Sequence, residues 1–163
     1  MCILIFVTLG TQDKTFERLL CAVQKQIDSG YLKNEEIIVQ AGQTKFESSD
    51  MKIFGMLDID TFEKYMNDCD LLITHGGVGS IIDGLKRNKK IIAAARLYKF
   101  KEHTNDHQLQ IVDSFSSEGY ILKLEDFDNL DAVIEKSKSF KPKEFVFNNK
   151  NFVCKLKDYI DNN

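Results

Sequence analysis

The sequence holds a single proline, Pro142, and no tryptophan among its 163 residues. The first 140 residues therefore lack the residue that most readily breaks helices and inner strands. The four cysteines, Cys2, Cys21, Cys69 and Cys154, are far apart and form no C-x-x-C pair. That spacing excludes a zinc knuckle and a dithiol redox motif, and it predicts reduced thiols, most of them facing the core. No apolar run approaches the ~18–20 residues of a membrane span. The opening Cys2-Ile3-Leu4-Ile5-Phe6-Val7 is apolar but has no basic leader and stops at Thr8, so it reads as a buried strand rather than a signal peptide. Basic charge is not in excess: 22 Lys and Arg face 25 Asp and Glu, a net charge of -3. A global field for nucleic acid is thereby excluded.

What remains is a globular composition, 43% hydrophobic and 29% charged, of a length that suits one domain. Apolar runs alternate with stretches of helical period. Strands are predicted at 2–9, 36–40, 52–57, 71–74, 91–95 and 120–124. Helices are predicted after residue 15 (Phe16, Leu19, Leu20, Val23 and Ile27 on one face), from an Asp60 cap with Glu63 completing a capping box, from near Ser80, and over 105–118 and 127–138. This βαβ alternation implies a Rossmann-like α/β fold, a parallel sheet with helices on both faces. Residues 1–140 form that domain. Residues 141–163 are expected to be a linker and an amphipathic C-terminal helix carrying Phe152, Val153, Leu156, Tyr159 and Ile160.

The unusual residues fall just past predicted strands. Gly10-Thr11-Gln12, Gly42, His75-Gly76-Gly77 and Arg96 all follow strand C-terminal ends, which right-handed crossovers bring to one rim. Gly76, Gly77 and Gly79 lie between a buried strand and a helix start. There, backbone amides, the helix dipole and the Ser80 hydroxyl suit a phosphate. A tight strand-to-helix turn with no ligand fits the same spacing. The loop has neither the lysine of a P-loop nor G-x-G-x-x-G spacing. Asp83, one turn past Ser80, suits the two hydroxyls of a ribose or pairs with its own helix. The segment Glu102-His103-Thr104-Asn105-Asp106-His107-Gln108 concentrates groups that match sugar hydroxyls, although a polar loop with a Thr104 or Asn105 helix cap accounts for it too. His103 and His107 lack the third ligand a metal would need. Lys86-Arg87-Asn88-Lys89-Lys90 complements a helix C-terminus or faces an anionic membrane.

Taken in order, Gly10-Thr11-Gln12 with Phe16-Glu17-Arg18-Leu19-Leu20, Val39-Gln40-Ala41-Gly42, Asp70 to Ser80 and Glu102 to Gln108 resemble the family 28 glycosyltransferase C-terminal domain. More closely, the chain is similar to small donor-binding subunits of bacterial capsular and exopolysaccharide glycosyltransferases. These in turn resemble the catalytic subunit of the eukaryotic transferase that adds the second N-acetylglucosamine to a dolichol-linked sugar. The resemblance spans Ile3 to about Leu130.

It implies the donor half of a GT-B enzyme and an inverting transfer of a hexose from a UDP-sugar to a lipid-linked glycan. No cofactor and no metal are implied, because the UDP-sugar is itself a substrate. A membrane-anchored partner would supply the acceptor-binding half and hold this chain at the cytoplasmic face of the membrane; a homo-oligomer is the alternative for the chain alone. The resemblance assigns the diphosphate to His75, Gly76, Gly77, Gly79 and Ser80, and the ribose to Asp83, where relatives carry glutamate. It assigns the donor sugar to Asp106, His107 and Gln108, and the cleft loops to Thr11, Gln12, Arg96, Glu102 and His103. The general base falls to the partner or, as the weaker choice, to His75. Lys90 and Ala95 stand where relatives have proline. Those departures and Asp83 keep open a non-catalytic, partner-stabilising subunit with a degenerate site.

Overall fold

The computed structural model describes residues 2–146 and 150–161, with side chains omitted at 151, 152, 155 and 159–161. Six parallel strands form one sheet: β1 (Leu4–Thr8), β2 (Glu36–Gln40), β3 (Lys52–Phe54), β4 (Leu71–His75), β5 (Lys90–Ala94) and β6 (Leu122–Lys123), in the order β3-β2-β1-β4-β5-β6. The chain builds outward from β1 to β3, then returns to β4 on the other side of β1. This order is the doubly wound one, and its reversal point lies between β1 and β4.

The sheet is covered on both faces because the middle residues of the inner strands are apolar and point alternately to its two sides. Ile5, Val7, Ile37, Val39, Ile73 and Ile92 point to one side, where α1 (Glu17–Asp28) and α5 (Leu130–Ser139) pack through Leu19, Leu20, Val23, Leu130 and Ile134. Phe6, Ile38, Leu72, Ile91 and Ala93 point to the other, against α2 (Ile59–Asp68), α3 (Val78–Lys86) and α4 (His107–Ser117). The last helix, α6 (Lys150–Asp161), lies against α4, and its Leu156 is buried in that second core. The predicted apolar face is thus partly consumed within the domain; Phe152, Tyr159 and Ile160 lie outside the described side chains. The stretch before α6 also packs down, with the Phe145 ring 5.3 Å edge-on from Tyr120 and the Lys143 N–H bonded to the Gly119 carbonyl.

Several local expectations are corrected. The cap of α2 is Asp58, not Asp60: its carboxylate accepts from both the Thr61 N–H and the Thr61 hydroxyl, two bonds that start the helix two residues earlier than an Asp60 cap would. Asp60 then sits in the first turn, where an acid favours the dipole. α3 starts at Val78, with Gly77 as cap. α4 starts at His107, where Asn105 accepts its N–H. Among the cysteines only Cys69 is buried, its thiol pushed up to about 11 by burial, while Cys2, Cys21 and Cys154 are exposed. Cys21 lies on the outer face of α1, opposite Leu19, Leu20 and Val23. The basic run after α3 works locally. Arg87 pairs with Asp83, Lys89 bonds the carbonyls of Asn67 and Cys69 at the end of α2, and Lys90 bonds the Lys138 carbonyl.

Leu72, fully buried in the second core, should cost about 2–5 kcal/mol of stability when replaced by alanine. Ile59→Ala, at a residue 77% exposed, should change stability by less than about 0.5 kcal/mol. Urea unfolding of both variants checks the contrast.

Candidate functional site

The ends of β1, β2 and β4 and the start of α3 enclose a cavity of about 310 Å³ at the reversal point. Its wall includes Thr8, Gly10, Thr11, Gln12, Gln40, Phe62, His75, Gly77, Gly79, Ser80 and Gln108, with no lysine, arginine or carboxylate among these. What it offers an anion is therefore neutral donors and a helix N-terminus.

His75 closes β4, and its ring lies in a slot between two glycines. A Cβ on Gly10, which has φ +79°, would come 2.6 Å from His75 Nε2, and one on Gly77 would overlap the ring at Cε1. Only glycine leaves room for an imidazole there. The ring is 8% exposed; its Nδ1 receives the Gly77 N–H at 3.1 Å and the Gln108 amide at 3.2 Å, and its Nε2 is 3.4 Å from Ser80 Oγ. Burial, reinforced by the Arg96 charge and by His103 and opposed by the Gln108 bond, pulls its pKa down to about 4. His75 is neutral at pH 7.

The glycine loop divides its labour differently from the expectation. The Gly76 N–H is bonded to Gln108 Oε1 and the Gly77 N–H to His75. Those two amides are spent inside the protein. The donors left at the mouth are the first-turn N–H groups of α3, at Val78, Gly79 and Ser80, which a helix leaves without carbonyl partners, and the Ser80 hydroxyl. Gly79 has open space around its Cα, which permits close approach of a ligand.

Other expected site residues separate into three groups. Arg96 and Glu102, placed in the cleft from sequence, turn inward instead. Arg96 is 1% exposed; its guanidinium bonds the carbonyls of Leu9, Lys14 and Glu102 and lies 5.1 Å from the Phe16 ring. Glu102 is 5% exposed and forms a two-point pair with Arg18, at 2.9 and 2.8 Å, while also accepting the Leu97 N–H. A buried charge needs such partners, and here they stitch the loops after β1 and β5 to each other and to α1. His103 and Gln12 stay at the surface, 3.1 Å apart, beside a cavity of about 470 Å³ lined by Lys14, Tyr98, Lys99, Lys101, His103 and Thr104. Of the three residues expected to face a sugar, only Gln108 reaches the central cavity. Asp106 accepts the Tyr98 N–H, and His107 opens α4.

Asp83 borders an adjoining, more apolar cavity of about 370 Å³, with Met56, Leu57, Ile59, Glu63 and Arg87. Thr11, Gln40 and Phe62 are shared by this cavity and the central one. Asp83 is held by Arg87 at 3.0 Å. Three contributors were not anticipated. Gln40, 5% exposed, accepts the Leu57 N–H and shapes both cavities; a polar residue closing an otherwise apolar strand was its signal. Phe62 lines both cavities from α2. Arg18, stacked 3.8 Å above the Phe127 ring, was marked only by its place in the motif segment Phe16 to Leu20. Among the described residues no group of three or more His, Cys, Asp or Glu is arranged to hold a metal, and no helix is long and apolar enough to cross a membrane.

With this geometry in place, the comparison with known proteins is decisive at the level of family: residues 4–162 match the glycosyltransferase family 28 C-terminal domain. The chain belongs to that family. Over 77 residues it is 34% identical to the UDP-N-acetylglucosamine transferase subunit ALG13 of Candida albicans, a match covering 47% of this chain and 25% of the relative. The match thus spans about a quarter of that relative's length. The solution structure of an ALG13 superposes with a TM-score of 0.62 at 23% identity, covering 95% of each chain. The glycotransferase of kitacinnamycin gives 0.65 at 16% identity, covering 96% of this chain and 38% of its own. The family 28 domain is thus built as the Rossmann-like C-terminal half of a GT-B glycosyltransferase.

The buried, neutral His75 makes stability depend on acid pH. Its folded pKa of about 4 lies below the ordinary 6.5, so between these values the unfolded chain takes up a proton that the folded one refuses. Stability present above pH 6.5 should fall as pH drops through this window, by roughly 3 kcal/mol once below pH 4. Urea midpoints should fall less steeply over that range in His75→Gln than in the unaltered chain.

Proposed function

We propose that this chain is the donor-binding subunit of a UDP-sugar-dependent, inverting hexosyltransferase. The observation that carries the reading is the central cavity. At the sheet's reversal point, the N-terminus of α3, the Ser80 hydroxyl and the His75 edge face one space with no lining carboxylate to repel an anion. A diphosphate there would sit on the helix dipole, and the same donors would stabilise the charge that develops as UDP departs. The adjoining cavity, with Leu57, Phe62 and Asp83, would take the nucleoside. Gly76 and Gly77 act in this scheme by making room, and Gly79 by admitting the ligand.

A GT-B enzyme has a second half that binds the acceptor, and a single sheet of this kind is one half. A membrane-anchored partner would supply that half and the base that activates the acceptor hydroxyl, and would keep the chain at the inner face of the cell membrane. The names borne by the ALG13 relatives, subunits of a UDP-N-acetylglucosamine transferase, support both the nucleotide and the partner. A lipid-linked glycan in capsule or exopolysaccharide assembly is the acceptor this reading favours. One observation favours the alternative of a non-catalytic stabilising subunit: Asp83 is engaged by Arg87 rather than standing ready for a ribose.

Calorimetric titration without divalent metal, using UDP, UDP-glucose, UDP-galactose and UDP-N-acetylglucosamine, tests the proposal. Binding of UDP is expected, weakened about tenfold in Ser80→Ala by loss of one hydrogen bond to a charged group. Heat-silent titrations both for the chain alone and for its complex with the co-expressed partner would overturn the donor-site reading and leave the stabilising role.

A further inference from the structure

Gln108 was expected to read a sugar, yet its amide is committed inside the protein. The side chain is 4% exposed and sits on the first turn of α4. Its Oε1 is 3.1 Å from the Gly76 N–H and 3.1 Å from the Arg96 N–H. Those two amides belong to the loops that follow β4 and β5, so one oxygen joins adjacent loops of the rim. Backbone N–H groups can only donate. The atom that receives both must be the amide oxygen, and the orientation of the Gln108 amide is thereby fixed.

With the oxygen assigned, the other amide atom is the NH₂, a donor, and it lies 3.2 Å from His75 Nδ1. The Gly77 N–H, also a donor, lies 3.1 Å from the same nitrogen. Two donors converge on Nδ1, so Nδ1 carries the lone pair. A neutral imidazole has one proton, which must then be on Nε2, the nitrogen turned toward Ser80.

We infer that Gln108 is a positioning residue that locks His75 as its Nε2–H tautomer, making the imidazole edge at the cavity a hydrogen-bond donor rather than a base. The depressed pKa of the ring agrees with this, and the charged or titratable groups that act on it, Arg96 and His103, both disfavour a second proton. Gly10 and Gly77 hold the ring plane on either side, so the proton is aimed as well as assigned. An Nε2–H suits a phosphoryl oxygen and has no lone pair with which to accept the proton of an acceptor hydroxyl. His75 is thereby removed as the general base. That functional consequence rests on the nucleotide reading above; the tautomer does not.

The test is nitrogen-15 NMR of the imidazole rings in the full chain without nucleotide, with His75 assigned by His75→Gln. At pH 7 the His75 signals should be those of the Nε2–H tautomer. Gln108→Glu separates positioning from simple structure. The glutamate can still accept the Gly76 and Arg96 N–H groups with one oxygen, but its other oxygen accepts instead of donating. His75 should then hold a proton on Nδ1, and its titration midpoint should rise by about one unit or more. Gln108→Leu loses the loop bonds and serves as the purely structural comparison: its fold stability should drop with no stabilisation of an Nδ1 proton. An Nδ1–H tautomer in the unaltered chain would overturn the inference. So would a Gln108→Glu protein whose His75 tautomer and midpoint match the unaltered chain. Both readouts are independent of UDP, so a failed nucleotide titration would count against the proposed function and not against this assignment.

Discussion

Where the strands of a parallel sheet end, the ladder of backbone hydrogen bonds ends too, and the loops beyond must be held by side chains. In this protein much of that holding passes through two buried groups. Arg96 gathers the carbonyls of Leu9, Lys14 and Glu102, and Gln108 gathers the N–H groups of Gly76 and Arg96. One collects acceptors, the other donors, and Arg96 belongs to both sets. The loops after β1, β4 and β5 are therefore coupled at one point. The cavity geometry depends on that coupling, because the His75 ring has no freedom once Gly10, Gly77 and Gln108 are in place.

The arrangement also leaves the cavity with something to offer an anion although no basic side chain lines it. The Arg96 charge lies inside, paired with carbonyls and near Glu102, where it lowers the proton affinity of His75 instead of meeting a ligand. Attraction at the mouth is left to the N-terminus of α3 and to neutral donors. Such donors are preorganised, and they need no reorganisation as charge develops on a leaving group. In the donor-site reading proposed above, such a pocket would hold a diphosphate through geometry rather than through net charge, which in this chain is slightly negative.

The outer surface of the rim is different in character. Arg18 pairs with Glu102 and stacks on Phe127, while Gln12 reaches across to His103. These contacts bind the loop after β5 to α1 and to the loop after β1. Much of the segment rich in groups able to bind sugar also has structural bonds: Asp106 accepts a backbone N–H with one oxygen, Gln108 accepts two with its amide oxygen, and Glu102 pairs with Arg18.

Much of the fold follows from short-range pattern. The apolar runs at β1, β2, β4 and β5, the 3.6-residue spacing of Leu19, Leu20 and Val23, and glycines at strand ends are local signals, and local sterics and burial enforce them. They suffice for a parallel sheet with its rim loops on one edge, and the motif segments between Gly10 and Gln108, taken together and in order, suffice for the family. Helix starts were less secure, as Asp58 and Asp60 show, because two acids two residues apart compete and the winner is set by which can reach Thr61. Three cysteines proved exposed because an apolar residue's neighbours, not its type, decide which face it takes. The roles of Arg96, Glu102 and Gln108 belong to the tertiary structure alone. A polar side chain at a loop is equally able to face water, a ligand or a buried backbone group. Which one it meets is decided by residues far away in the chain, brought within 3 Å or so only when the sheet closes.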